Sequence, residues 1–326
     1  MIITSPTSQA PAQARRCAVI GNPVSHSRSP AIHQQFALQT KLPLQYDRLP
    51  ADLDQFVPTV TRFFEHGGTG LNVTVPFKLE AWQIAREHLS VRATLAQAVN
   101  TLWLQDGALH GCNTDGVGLV TDLQALGLPL KDARILMIGA GGAARGVIGP
   151  LLAAGCAHLR IVNRTPERAH ALIGAWPREH VPTPSSLSAG SLEQATSAHG
   201  WDLVLNASAS SLSDAAPAVP SGLYAAGGCA YDLMYGAQPT AFMRQAQADG
   251  AQQSHDGLGM LVGQAAESFY LWHGVRPETE SVLRMIRAEL DASRSKKPQA
   301  STPAHHACLC QKINYRVLNV PDCLGV

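Results

Sequence analysis

The sequence predicts an α/β protein of two units, one of them built on a doubly wound parallel sheet. Three observations carry this. Strand and helix patterns alternate along most of the chain. The strand Arg134-Ile135-Leu136-Met137-Ile138 is almost continuously apolar, as a strand buried on both faces of a parallel sheet must be. It runs directly into Gly139-Ala140-Gly141-Gly142-Ala143-Ala144-Arg145-Gly146, a glycine-rich turn that opens a helix. At 326 residues the chain has length for two units.

The elements follow in order. Cys17–Ile20 is the first strand, punctuated by Gly21-Asn22-Pro23. Ile32–Thr40 is a helix, with Ser29 as N-cap and Pro30 at its first position. Leu44–Leu49 is a strand. Asp52–Glu65 is a helix because Phe56, Val60, Phe63 and Phe64 share a face, and Gly67-Gly68 closes it. Leu71–Val75 is a strand ended by Pro76, and roughly Lys78–Leu95 is helical. Ala98–Trp103 is a strand that turns at Asp106-Gly107, and Val117–Leu126 is an amphipathic helix. After the glycine loop a helix continues to Ala154. The strand Leu159–Val162, the helix Pro166–Trp176 and the strands Leu203–Leu205 and Gly228–Leu233 complete the alternation. Asp256-Gly257-Leu258-Gly259-Met260 opens a helix to His273, and a last helix spans Glu278–Leu290. Beyond it periodicity is lost.

Composition excludes several classes. Hydrophobic residues make up 45% and the formal net charge is +1. A disordered chain is more polar, and a balanced charge gives no global pull toward nucleic acid or an acidic membrane. The seven cysteines are odd in number and scattered, which suits a reducing compartment rather than a disulfide framework. No run approaches the ~20 apolar residues that span a bilayer. Met1–Ala14 carries no charged side chain and lacks the features of a signal peptide. The expectation is a soluble, cytoplasmic protein with a loose leader.

Gly139, Gly141 and Gly142 permit a tight turn and close approach of backbone to a pyrophosphate, which the following helix N-terminus attracts. An ordinary strand-to-helix turn is the plain alternative. About 24 residues past the loop, an NAD site carries Asp or Glu for the ribose hydroxyl. Here the next strand ends in Asn163-Arg164-Thr165, with Arg168 a turn further on. Two arginines without a carboxylate suit a 2′-phosphate, so NADP(H) is preferred over NAD(H). A solvated basic helix start is the bland alternative. Polar residues also gather at other strand ends: Ser27 and Ser29, Thr74 and Lys78, Asn100 and Thr101, then Asn113, Thr114 and Asp115. Each alone reads as a cap or turn. Around one cleft they would make a hydrogen-bonding wall for a small polyhydroxylated ligand.

Several motifs in sequence order make the chain resemble the shikimate dehydrogenases. They are Gly21-Asn22-Pro23-Val24-Ser25-His26-Ser27-Arg28-Ser29-Pro30, Asn72-Val73-Thr74-Val75-Pro76-Phe77-Lys78, Ala98-Val99-Asn100-Thr101, Asn113-Thr114-Asp115-Gly116, the glycine loop, Asn163-Arg164-Thr165, and Asp256 to Ala265. The resemblance covers about residues 15 to 292. It implies a Rossmann-type NADP-binding domain (115–256) inserted in an N-terminal α/β substrate domain (15–114 plus 257–292), with the C-terminal helices returning to the first domain. Residues 1–14 would be a flexible leader and 293–326 a disordered tail. It implies reduction of 3-dehydroshikimate by NADPH in aromatic amino-acid (chorismate) biosynthesis. Lys78 and Asp115 would be the catalytic pair. Ser27, Ser29 and Tyr235 would hold the substrate carboxylate, with Thr74, Asn100, Asp115 and Gln264 on its hydroxyls or carboxylate edge. Gly139, Ala140, Gly141, Gly142 and Ala143 would cradle the pyrophosphate, and Asn163, Arg164, Thr165 and Arg168 the ribose phosphate. Leu233 and Gly257 would line the nicotinamide pocket.

That chemistry is sound in its own terms. Reducing a ketone needs a proton at the developing alkoxide, which a Lys ammonium can give while an Asp orients it. Two departures stand out: Ala144 replaces a frequent Ser, and Asn206-Ala207-Ser208-Ala209-Ser210 is less Thr-rich than in relatives. His26 is read as having a positional or capping role. His305-His306-x-Cys308-x-Cys310 matches no closed zinc site, so no metal is expected. A quinate/shikimate dehydrogenase and a non-catalytic NADP-binding regulator are the competing functions. Hinges are expected near Asp115 and Gly257, and the assembly is a monomer or homodimer.

Overall fold

Two β-sheets of different character organise the chain. The computed structural model describes residues 14–182, 185–208, 210 and 214–295. Residues 1–13 of the expected leader, most of the expected tail with its His305 to Cys310 cluster, and Ala209 lie outside them. The first sheet contains β1 (Arg15–Gly21), β2 (Leu44–Pro50), β3 (Gly68–Val73), β4 (Thr101–Gln105) and β5 (Ala108–Cys112), in the spatial order β2-β1-β3-β4-β5. β1 runs parallel to both β2 and β3, whereas β4 and β5 are antiparallel additions. This sheet is therefore mixed. β5 is absent from the sequence reading because His110 and Gly111 dilute its apolar pattern. Its hairpin is made by Asp106 and Gly107, both at positive φ (52° and 79°), as a two-residue turn between twisted strands requires.

The helices of this half depart from the sequence reading in three places. α1 (Ser29–Thr40) already includes Ser29; Arg28 occupies the N-cap position without a side-chain bond. Ser29 is thus not the cap, because its hydroxyl is engaged by Ser27 instead. α2 (Phe56–Glu65) begins four residues later than expected, after a turn closed by the Gln55 N–H to the Asp52 carbonyl. The long helix expected after Pro76 is broken into α3 (Lys78–Ile84), a short 3₁₀ turn and α4 (Val91–Ala96). Leu89 turns extended, and the Ser90 hydroxyl accepts the Ala93 N–H to start a fresh helix.

The second sheet is wholly parallel. β6 (Arg134–Ile138), β7 (His158–Val162), β8 (Ser186–Gly190), β9 (Trp201–Asn206), β10 (Tyr224–Asp232) and β11 (Gln253–Asp256) lie in the order β11-β10-β9-β6-β7-β8. β6 sits at the centre, between β9 and β7, which explains its continuous apolar run: Ile135, Leu136, Met137 and Ile138 are all buried. α5 (Asp115–Ala125), α6 (Gly142–Ala153), α7 (Pro166–Gly174) and α8 (Ala241–Ala248) surround it.

α9 (Leu258–His273) and α10 (Glu280–Ser295) pack back on α1, where Phe36, Phe269 and Ile286 are buried in one cluster. α10 continues past Leu290, so residues 293–295 are helical rather than tail. α9 also lies backbone-to-backbone along α5. A Cβ at Gly118 would stand 2.5 Å from the Gln264 nitrogen and 2.6 Å from the Met260 carbonyl oxygen. Only glycine permits that approach, and it fixes Gln264 relative to Asp115.

Candidate active site

The site gathers where the C-terminal ends of β1 and β3 meet the starts of α3, α5 and α6. Lys78 is the first residue of α3 and Asp115 the first of α5. Their side chains meet at 2.5 Å, Nζ to Oδ2, and are only 12% and 6% exposed. The second Asp115 oxygen accepts the Asn100 amide at 2.8 Å, and the Asp115 N–H donates to Asn113 Oδ1 at 3.1 Å. Asn100 has no freedom to turn over: its Oδ1 accepts the Thr114 backbone N–H at 2.8 Å and the Thr101 hydroxyl at 2.9 Å. Its amide nitrogen also reaches Thr114 Oγ1 at 2.8 Å and Gln264 Oε1 at 3.3 Å. Lys78, Asn100, Asp115 and Gln264 are thus one bonded cluster.

Behind it runs a buried polar network of which the sequence reading names Asn72 and Thr101 but neither Tyr46 nor Ser268. The Tyr46 hydroxyl donates to Asn72 Oδ1 at 2.7 Å, and the Asn72 amide donates to Ser268 Oγ at 3.0 Å. Ser268 Oγ meets Thr101 Oγ1 at 2.8 Å. Asn72, Thr101 and Ser268 are all buried, so each bond satisfies a group that would otherwise be costly. Ser268 lies on the α9 face that carries Gln264, four residues earlier; that i, i+4 spacing is the one available signal.

Ser27 and Ser29 are brought together: the Ser27 hydroxyl donates to Ser29 Oγ at 3.1 Å, and the Ser29 N–H donates to Ser27 Oγ at 3.2 Å. α1 starts there with no acidic residue in its first turn. Tyr235 packs on the α1–α9 cluster. Burial pushes its phenol above the ordinary range; the Arg28 guanidinium and backbone oppose this and Asp256 adds to it. Thr74 follows β3, its N–H bonded to the Ile20 carbonyl at 2.9 Å. No direct bond joins the serine pair to Lys78 among the described residues.

The glycine loop lies beside this cluster. Gly142 comes so close to Lys78 that an added Cβ would be 3.5 Å from the lysine Cβ. Gly139 has φ +114°, and a Cβ there would fall 2.9 Å from the Ala207 and Ser208 backbone. Gly141 is the N-cap of α6 and opens on free space, with no side chain capping the helix. At the end of the neighbouring strand β7, the Asn163 amide folds back on the Thr165 carbonyl at 2.9 Å. Arg164 and Arg168 are exposed, and neither enters an ion pair among the described residues. An open helix N-terminus, a glycine-lined turn and two unpaired arginines fit a phosphorylated dinucleotide. Leu233 and Gly257 adjoin, since a Cβ on Gly257 would stand 2.3 Å from the Leu233 carbonyl oxygen. No cluster of three His, Cys, Asp or Glu side chains among the described residues is placed to hold a metal ion, and no described helix is long and apolar enough to cross a membrane.

Comparison with known proteins identifies the family. Residues 19–102 match the model of the shikimate dehydrogenase substrate binding domain. Residues 123–211 match the shikimate / quinate 5-dehydrogenase model, and residues 257–286 the shikimate 5'-dehydrogenase C-terminal domain. A shikimate dehydrogenase (NADP(+)) of Bordetella avium is 62% identical over 276 residues, covering 85% of this chain and 96% of the relative. The solved shikimate 5-dehydrogenase of Thermus thermophilus, in complex with NADP(H) and shikimate, is 33% identical with a TM-score of 0.74, covering 85% of this chain and all of that one. An Ael1 enzyme from Pseudomonas putida is 40% identical with a TM-score of 0.75, covering 83% of this chain and 98% of its own. With three family models matched in order and close relatives matched along nearly their whole length, the chain belongs to the shikimate dehydrogenase family.

Proposed function

We propose that this protein catalyses the reversible, NADPH-dependent reduction of 3-dehydroshikimate to shikimate in aromatic amino-acid biosynthesis. The observation that carries this reading is the buried Lys78–Asp115 pair lying against the glycine loop. Gly139, Ala140, Gly141, Gly142 and Ala143 hold the pyrophosphate, Asn163, Arg164, Thr165 and Arg168 the adenosine ribose phosphate, and Leu233 and Gly257 the nicotinamide. Bound NADPH supplies the hydride that reduces the ketone carbon.

The chain's own residues supply the rest. The Lys78 ammonium donates a proton to the ketone oxygen as negative charge develops there. In the oxidation direction neutral Lys78 takes that proton back. Asp115 orients the ammonium and provides the counter-charge that a buried cation requires. Asn100 orients Asp115 in turn. Ser27, Ser29 and Tyr235 hold the substrate carboxylate, while Thr74, Asn100, Asp115 and Gln264 sort its hydroxyls. In this reading residues 15–114 and 257–292 form the substrate domain and 115–256 the cofactor domain.

A quinate-active enzyme is the second reading, favoured by the family model over residues 123–211, which spans both activities. The test is absorbance at the reduced-nicotinamide band after mixing the protein with shikimate and NADP⁺. A steady rise is expected, and a flat trace from folded protein would overturn the assignment in favour of a binding-only protein.

A further inference from the structure

We infer that Arg48 is a positioning residue of the carboxylate subsite, clamping the Ser27 carbonyl so that the serine pair faces the substrate with a cation behind it. This rests on the reading of Ser27 and Ser29 as carboxylate ligands. Arg48 is on β2, in register with Val19 of β1. Tyr46, two residues earlier and so on the same face, is buried against His33 of α1 and Trp272 of α9. Arg48 extends that face past the core, at the end of the sheet where the loop after β1 crosses. Its Nε and Nη2 both donate to the Ser27 carbonyl oxygen, at 3.0 and 2.6 Å.

The clamp completes the bracing of the loop. The Ser27 N–H donates to the Val24 carbonyl at 3.1 Å, and its hydroxyl rests on Ser29 Oγ at 3.1 Å, a bond it can exchange for the substrate carboxylate. The carbonyl is the remaining polar group of Ser27, and Arg48 takes it with two donors. A planar guanidinium can place two N–H groups on one oxygen and stay charged; a lysine delivers a single point contact. Arg48 also joins no ion pair among the described residues, in contrast to Arg28, which meets Glu289 at 3.4 Å. Arg48 is solvent-exposed, and its charge stands beside a subsite that receives an anion.

Steady-state kinetics on the full-length enzyme tests this, with shikimate and its methyl ester as paired substrates. Arg48→Gln is expected to raise KM for shikimate about tenfold, leaving kcat and the KM for NADP⁺ within about twofold. The ester, which lacks the negative charge, is expected to lose little. Arg48→Lys keeps the charge without the fork and is expected to fall between. Ser27→Ala reports on the underlying reading. If Ser27→Ala leaves the shikimate KM unchanged, the carboxylate assignment fails and the role of Arg48 falls with it. If Ser27→Ala raises KM but Arg48→Gln does not, the role of Arg48 alone is overturned. Equal losses for acid and ester in Arg48→Gln would also overturn it, since a merely structural prop makes no such distinction.

Discussion

Lys78 and Asp115 lie 37 positions apart in sequence, yet each begins a helix and both helices start at one spot. A lone ammonium there would be expensive to bury, and so would a lone carboxylate; as a pair at 2.5 Å, further held by Asn100, they are mutually compensated. In the proposed mechanism the pair keeps the ammonium in place to hand over a proton. General acid–base assistance is worth about 10²–10⁴-fold. Lys78→Ala is accordingly expected to lose kcat in that range with a smaller change in KM, measured by steady-state turnover of shikimate. A variant keeping more than a third of wild-type kcat would remove Lys78 from the proton-transfer role.

At the scale of elements, strongly patterned segments were legible and weakly patterned ones were not. β6, β7, β9 and the α9 helix follow from apolar runs and glycine punctuation. β8 and β11 escape because Ser186-Leu187-Ser188-Ala189-Gly190 and Gln253-Ser254-His255-Asp256 are edge strands with little apolar content. α8, rich in Ala and Gln, carries little periodicity. The candidate site was legible where motifs lie at strand ends, and the glycine loop was placed correctly after β6. The network of Tyr46, Asn72 and Ser268 was not, because it is assembled from three distant elements by packing alone. The β7–α7 junction carries its own prediction. Arg164 and Arg168 stand exposed and unpaired there, and hydrogen bonds to a charged group are worth about 1.5–3 kcal/mol each. Replacing both with Ala is expected to raise the KM for NADP⁺ by at least about tenfold while the KM for NAD⁺ moves less than twofold. Equal effects on both cofactors would place the 2′-phosphate elsewhere.

The whole molecule carries a pH dependence set by its core. His33 is fully buried, stacked on Tyr46 at 4.2 Å and on Trp272 at 5.4 Å. Burial, reinforced by nearby His273, lowers its pKa from the ordinary 6.5 to about 3. Burial and then Arg15 lower His273 to about 4. The folded chain thus refuses protons that the unfolded chain accepts below pH 6.5. Stability from these two groups is complete above that pH and is lost as pH falls toward their folded values, by up to about 1.4 kcal/mol per pH unit for His33. Melting temperature is expected to drop from pH 7 to pH 5, and His33→Phe is expected to flatten that slope. An unchanged slope in the variant would show that another group governs it.

The Lys78–Asp115 pair is read as serving one substrate, shikimate, and one cofactor, NADP⁺. Initial rates over a matrix of shikimate or quinate with NADP⁺ or NAD⁺ test it most directly. The highest kcat/KM is expected for shikimate with NADP⁺; faster turnover of quinate with NAD⁺ would overturn that reading.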